Sequence, residues 1–386
     1  MDARIAALRA GPGMTVEKGQ RLFGLVLYAA QAMAMQTAGK RHGAAGDPVT
    51  TADKVRFLSS PAAHPGCAGS VEVEETHMSW VFLVDGRVHK LKKPVRYAHL
   101  DFTTLKAREA NCREEVRLNR RLAPDVYLGV VPLTAGPDGR LAIGGEGAVV
   151  DWLVKMRRLP AERMLDRAIA AGTSARQEVN AVARRLSEFY LHSTPVDMNV
   201  EEYARQFAHE QAINRNVLTE RGFDLDLARA EEALRRVDEV LHEPSGVLGR
   251  RTEQGRIVEG HGDLRPEHIC LVHPPVIIDC LEFSRRLRLV DPLDELLFLM
   301  LECRRVEAAW IGELIFDHYV ESSRDHPSDE LIIFYWSYRA CLRARLSLMH
   351  LLEPDPRTPE KWLPMARHYI ELATAPPVRT SLRAAR

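Results

Sequence analysis

The segment 260-GHGDLRPEHICL-271, continued after a Pro-Pro turn by 276-VIIDCLEF-283, decides how this chain of 386 residues is read. It sets His261, Gly262 and Asp263 on a loop, follows them with a short apolar strand and turns at Pro274-Pro275. A second apolar strand then ends in Asp279. Asp263 is a candidate acceptor for the proton of an attacking hydroxyl, and Asp279 a candidate ligand for Mg2+ through a carboxylate oxygen. The spacing and the intervening hairpin make the pair a stronger signal than either acid alone. His261 reads as a buttress of the loop, satisfied by backbone rather than reacting. His268, five residues after Asp263, joins the candidates for both the catalytic and the metal-binding set.

The bulk composition is that of an ordinary globular protein, 46% hydrophobic and 27% charged, with a length that suits two lobes. Lys+Arg and Asp+Glu balance at 53 each, so no overall field recruits nucleic acid or an anionic membrane. Only nine of the basic residues are lysines, which makes Lys90, Lys92 and Lys93 conspicuous. The cysteines at 67, 112, 270, 280, 303 and 341 lie far apart without a CxxC pair. That usage suggests a reducing, cytoplasmic setting and neither a disulfide framework nor a zinc site. No apolar run reaches the roughly 18 residues of a membrane span. Residues 21–38 have an apolar centre, but mixed charge precedes them, so they read as a helix rather than a leader.

Residues 1–50 form an Ala/Gly-rich extension. From 51 to 155 strand signals dominate: 71-VEVEE-75, 80-WVFLV-84 and 87-RVHKLK-92 form an antiparallel meander, with Asp85-Gly86 as a hairpin turn. A helix is expected over 101–122, then strands over 127–133, 139–143 and 147–159, making an antiparallel sheet with one inserted helix. The pattern is helical from 156 to 386, with a hinge strand near 147–155. Asp291-Pro292 starts one of these helices, Asp as N-cap and Pro in the first turn.

Phosphoryl transfer needs a cation on the phosphates, a bridging metal and a proton acceptor. Alternation puts Lys90 and Lys92 on one face of the third strand, either of them a phosphate-binding candidate. Lysines guarding a sheet edge are the plainer explanation of that pair taken alone. Glu115 shares a helical stripe with Leu118 and Leu122 and so turns inward toward the lysine, whereas Glu114 faces water.

The order of these residues resembles that of the aminoglycoside phosphotransferase-like kinases, through HGDLRPEHICL, VIIDCLEF and 289-LVDPLDELLFL-299. Residues 75–95 and 112–133 are similar to the N-lobe of a bacterial branch of that superfamily. The resemblance spans about residues 53–352. It implies an α+β, protein-kinase-like two-lobed fold with a β-rich N-lobe and a helical C-lobe, binding ATP with Mg2+. It further implies Asp263 as catalytic base, Asp279 as metal ligand, Lys90 as phosphate lysine and Glu115 as its partner. Asp291 matches a family position, and Glu295 would brace the catalytic loop.

Two departures stand out. His268 occupies the position where the family has asparagine, and imidazole suits softer metals such as Mn2+ better than Mg2+, which leaves three outcomes open: a lost second metal site, a preference for Mn2+, or an imidazolium contacting phosphate instead. The turn 76-THMS-79 lacks the glycines that let a loop sit on phosphates, so Thr76, His77 and Ser79 would serve through backbone amides and hydroxyls. The expected activity is transfer of the γ-phosphate of ATP to a hydroxyl of a small molecule. A nucleotide-sensing or protein-binding pseudokinase is the first alternative. A metal-dependent hydrolase built on His261, Asp263, His268 and Asp279 is the second. A P-loop enzyme is excluded, because no GxxxxGK[ST] occurs. Arg285, Arg286, Arg288, Arg339 and Arg343 could hold an anionic acceptor or belong to a solvated surface.

Overall fold

Alternating apolar and polar residues after position 70 fold into strands in the computed structural model, which describes residues 49–97, 100–352, 356 and 358–377. The expected extension up to residue 48 and the stretch 21–38 lie outside the described residues. Two compact units emerge, one from 49–193 with 259–289 and one from 194–258 with 290–377.

The first unit opens with helix α1 (Thr51–Leu58), whose N-cap Thr50 and Asp53 form a reciprocal capping box. Strands β1 (Glu72–Glu75), β2 (Ser79–Val84) and β3 (Arg87–Lys92) follow, with Asp85 at φ 48° in the turn between the last two. After β4 (Arg96–Tyr97) and β5 (Leu100–Asp101) comes helix α2 (Leu105–Asn119). It starts later than expected because Asp101 pairs with Arg96 in the β4–β5 hairpin and Thr104 caps the Ala107 amide. Strands β6 (Tyr127–Ala135), β7 (Leu141–Ile143) and β8 (Ala148–Arg157) complete a six-stranded sheet of order β1-β2-β3-β8-β6-β7. Every ladder is antiparallel, as expected.

Sheet alternation divides the packing between two faces. Phe82, Leu91, Leu133 and Leu153 bury against Leu58 of α1 on one face. On the other, Cys112 and Val116 of α2 meet Tyr127 and Val154. Full burial of each large side chain contributes about 1.5–3 kcal/mol. Helices α3 (Leu165–Ala170) and α4 (Arg176–Leu191) close this segment.

The chain then forms α5 (Val200–Leu218), α6 (Leu227–His242), α7 (Val247–Glu253) and β9 (Val258–Glu259). It returns to the first unit for the short hairpin β10 (Ile269–Cys270) and β11 (Val276–Ile277), and Cys270 and Val276 join the α2-side core. Strand β12 (Leu289–Val290) leads to α8 (Pro292–Arg305), α9 (Ala309–Ser323), α10 (Asp329–His350) and α11 (Pro359–Ala373). As expected, Asp291 caps α8, accepting the Leu293 amide at 3.0 Å. Its carboxylate also binds Arg251, whose guanidinium reaches Asp325 at 2.6 Å.

Arg251 is buried, so Arg251→Met strands two buried carboxylates without their shared cation. Urea denaturation is expected to register a loss of about 3–5 kcal/mol. On β3, His89 stacks on His64 with ring centroids 5.2 Å apart. Burial, with repulsion from His64, Lys155 and Arg87, pushes the His89 imidazole down to about 4. The unfolded chain, titrating near 6.5, then binds the proton more readily than the folded one. His89 therefore favours folding fully above about pH 6.5 and loses that contribution as pH falls toward 4. Denaturation of His89→Gln should show a shallower decline in stability across this window.

Candidate active site

The loop after β9 is built on Gly262, at φ 90°. A Cβ there would lie 2.9 Å from Leu281 Cβ and 3.1 Å from Arg288 Cγ, so glycine permits both the backbone conformation and the close approach. His261 is buried. Its Nδ1 accepts the Asp263 amide at 3.3 Å, so Nε2 must donate to the Ile278 carbonyl at 2.9 Å. The ring thus ties the loop to the end of β11. Asp263 keeps a third of its side chain exposed and accepts from Arg265 Nη2 at 2.9 Å. His268 ends a single 3-10 turn, and its Nδ1 lies 2.7 Å from the Asp263 carbonyl.

Asp279 takes a left-handed backbone conformation at φ 60°. The turn is held by neighbours: the Asp279 amide donates to the Tyr127 hydroxyl at 3.2 Å, and the Cys280 amide to Asn119 Oδ1 at 2.9 Å. Asn119 in turn donates to the Glu115 carbonyl at 2.9 Å, so α2 carries the residues that fix the acid's position.

That helix also presents Glu115 to the sheet. Lys90 Nζ lies 2.9 Å from Glu115 Oε1 and 3.1 Å from Asp279 Oδ1. Lys92 pairs with the other Glu115 oxygen and with Glu282. The result is an alternating ribbon, Asp279–Lys90–Glu115–Lys92–Glu282. Lys90 is chiefly responsible for holding the Asp279 carboxyl well below the usual carboxylate range. Burial pulls the Lys90 ammonium down, but Asp279, Glu115 and Glu282 more than offset it and raise it well above its ordinary value. Burial likewise favours a neutral Glu115, yet the two lysines outweigh it and keep the carboxylate ionised.

No family model matches the chain. Uncharacterised proteins of Mycobacterium tuberculosis and Mycobacterium bovis are 30% identical to it over 292 residues, covering 74% of this chain and 56% of theirs. The chain therefore spans about half the length of the curated relatives it matches. A choline/ethanolamine kinase family protein from Mesorhizobium loti superposes with a TM-score of 0.50 at 16% identity, over 86% of this chain and 98% of that one. The fold is protein-kinase-like. The GDP complex of aminoglycoside 2'-phosphotransferase-IIIa gives a TM-score of 0.49 at 16% identity, over 83% of this chain and 98% of that one.

Within this kinase-like fold the two candidate lysines part company. Lys90 retains 14% of its side-chain exposure beside Asp279, whereas Lys92 retains 1% and is enclosed by carboxylates. The Thr76 hydroxyl accepts the Ser79 amide at 3.0 Å and the Met78 amide at 3.3 Å, which closes the β1–β2 turn on itself. Ser79 is buried.

Several charged residues differ from their sequence reading. Glu114 is not simply solvated: it binds Arg117 and the buried Arg288. Arg288 is no free surface cation either, since it also holds Glu259 at 2.8 Å and the Leu281 carbonyl at 2.8 Å. In the second unit Arg339 grips Asp294 and Arg343 grips Glu302, while Glu295 is buried in α8. Sequence reasoning missed Arg265 and Glu282. Each lies two or three residues beyond a recognised acid, and only that adjacency could have flagged them.

Lys92→Met removes the cation between two enclosed carboxylates and should cost about 3–5 kcal/mol in guanidinium denaturation. Lys90→Met should cost clearly less, because Asp279 is half exposed and Glu115 keeps its second lysine. Equal losses would contradict the division of labour between the two lysines.

Proposed function

We propose that this chain is an ATP-dependent phosphotransferase that moves the γ-phosphate to a hydroxyl of a small molecule, with Mg2+ or Mn2+. One observation carries the reading: Lys90, Glu115 and Asp279 converge within 3.1 Å contacts in the same unit as the Asp263 loop. The kinase-like fold shared with the Mesorhizobium loti protein supports it. In this reading residues 51–155 are the nucleotide-phosphate side and 156–386 the helical lobe with the catalytic loop and metal site. The chain works in the cytoplasm, without nucleic-acid or membrane partners.

The residues fit a nucleotide and a divalent ion. Asp279 is an ionised carboxylate with half its surface open, and its present partner Lys90 is the kind of cation that phosphate oxygens attract. When bound, the divalent ion would neutralise charge developing between the phosphates. Lys90 would turn from Asp279 to phosphate oxygens, while Lys92 keeps Glu115 ionised and in place. Asp263 would accept the hydroxyl proton, and Arg265, already against its carboxylate, would lie beside the transferred group. His261 would hold the loop. Thr76 and Ser79 would act by shaping the hairpin over the phosphates.

A nucleotide-sensing pseudokinase is the second reading, favoured by the β1–β2 turn, which has no glycine and spends two amides on Thr76. The hydrolase reading fares worse. Both His261 nitrogens serve backbone, and among the described residues no group of three His, Cys, Asp or Glu could hold a metal.

Calorimetric titration with ATP should show binding that requires the divalent ion and is lost in Asp279→Ala. Asp263→Asn should retain that binding and lower the turnover of an accepted hydroxyl substrate by roughly 10²–10⁴. Metal-independent binding without transfer would favour the sensor, and no binding at all would end the nucleotide reading.

A further inference from the structure

The position of His268 is built with unusual definiteness. Its Nδ1 lies 2.7 Å from the Asp263 carbonyl oxygen, which can only accept, so Nδ1 carries a proton. Its Nε2 lies 3.3 Å from Arg265 Nη2. The ring cannot readily turn: its side chain is 8% exposed and stacks on His261 at 5.8 Å. Nε2 faces the metal-ligand candidate, 3.6 Å from Asp279 Oδ2.

An imidazole whose far nitrogen donates to a backbone carbonyl is oriented as metal-binding histidines are. We infer that His268 Nε2 and Asp279 form a mixed nitrogen–oxygen half-site that selects a borderline transition ion, of which Mn2+ is the simplest case, over Mg2+. Mg2+ strongly prefers oxygen ligands and holds its water tightly, while imidazole stabilises first-row transition ions. Arg265 surrenders its contact with Nε2 on metal binding and keeps Asp263 and Glu267, which it already holds at 2.9 and 2.6 Å. The inference rests on the nucleotide reading only in that phosphate oxygens and water complete the coordination.

Mn2+ bound to the chain in the presence of ADP should be read by electron spin echo envelope modulation, with and without His268→Asn. Wild type should show nitrogen modulation that the variant loses. In competition titrations the Mn2+:Mg2+ affinity ratio should fall by roughly 10–100-fold in the variant. The asparagine amide can donate to the Asp263 carbonyl in place of Nδ1–H, and circular dichroism verifies the variant's fold. Mn2+ that binds beside ADP without nitrogen modulation, or an unchanged affinity ratio, overturns the selectivity while leaving the kinase reading intact. Failure of wild type to bind either Mn2+ or ADP overturns both.

Discussion

Glu115 is a fully buried carboxylate, and the site depends on how its charge is balanced. Taking an ion out of water costs several kcal/mol after relaxation, so a lone buried glutamate would protonate or leave the core. Here two ammonium groups approach its two oxygens from residues 90 and 92 of one strand. Strand geometry makes this pairing available, since side chains two residues apart point the same way. The same ribbon then reaches two acids of the 279–282 segment, Asp279 through Lys90 and Glu282 through Lys92. Helix, strand and metal-loop candidate are thereby positioned by one chain of alternating charge.

Several neutral contacts make that electrostatic arrangement specific. Asn119 and Tyr127 receive the amides of Cys280 and Asp279, fixing a left-handed turn at Asp279. Arg121 adds bonds to the Glu259 and Gly260 carbonyls at 2.6 and 2.8 Å. Arg288 links Glu114 of α2 to Glu259 and to the carbonyl of Leu281. Arginines thus serve internal carboxylates and carbonyls around this site, and in the second unit Arg251, Arg339 and Arg343 do the same. A planar guanidinium with five donors suits that task better than an ammonium does.

Much of the fold was legible because local rules were obeyed. The alternation of 71–92 forecast three strands, Asp291-Pro292 forecast a helix start, and the stripe through Leu118 forecast an inward Glu115. The helix expected over 101–122 was trimmed because Asp101 and Thr104 had turn and cap partners that periodicity does not register.

The sequence alone determined which chemistry was on offer: an Asp-bearing loop, a strand-ending acid, a lysine strand and a glutamate helix, each recognisable from short-range pattern. Tertiary structure decided who meets whom. Lys90 and Lys92 share a face and are equivalent by alternation, yet one borders Asp279 and the other is sealed between Glu115 and Glu282. His268 reads from sequence only as a departure from asparagine, but the bond from Nδ1 to the Asp263 carbonyl turns Nε2 toward Asp279. These outcomes depend on contacts between residues up to 190 positions apart and on a backbone turn of positive φ. No residue pattern encodes such distances, because they follow from the packing of α2 and the β10–β11 hairpin into one core.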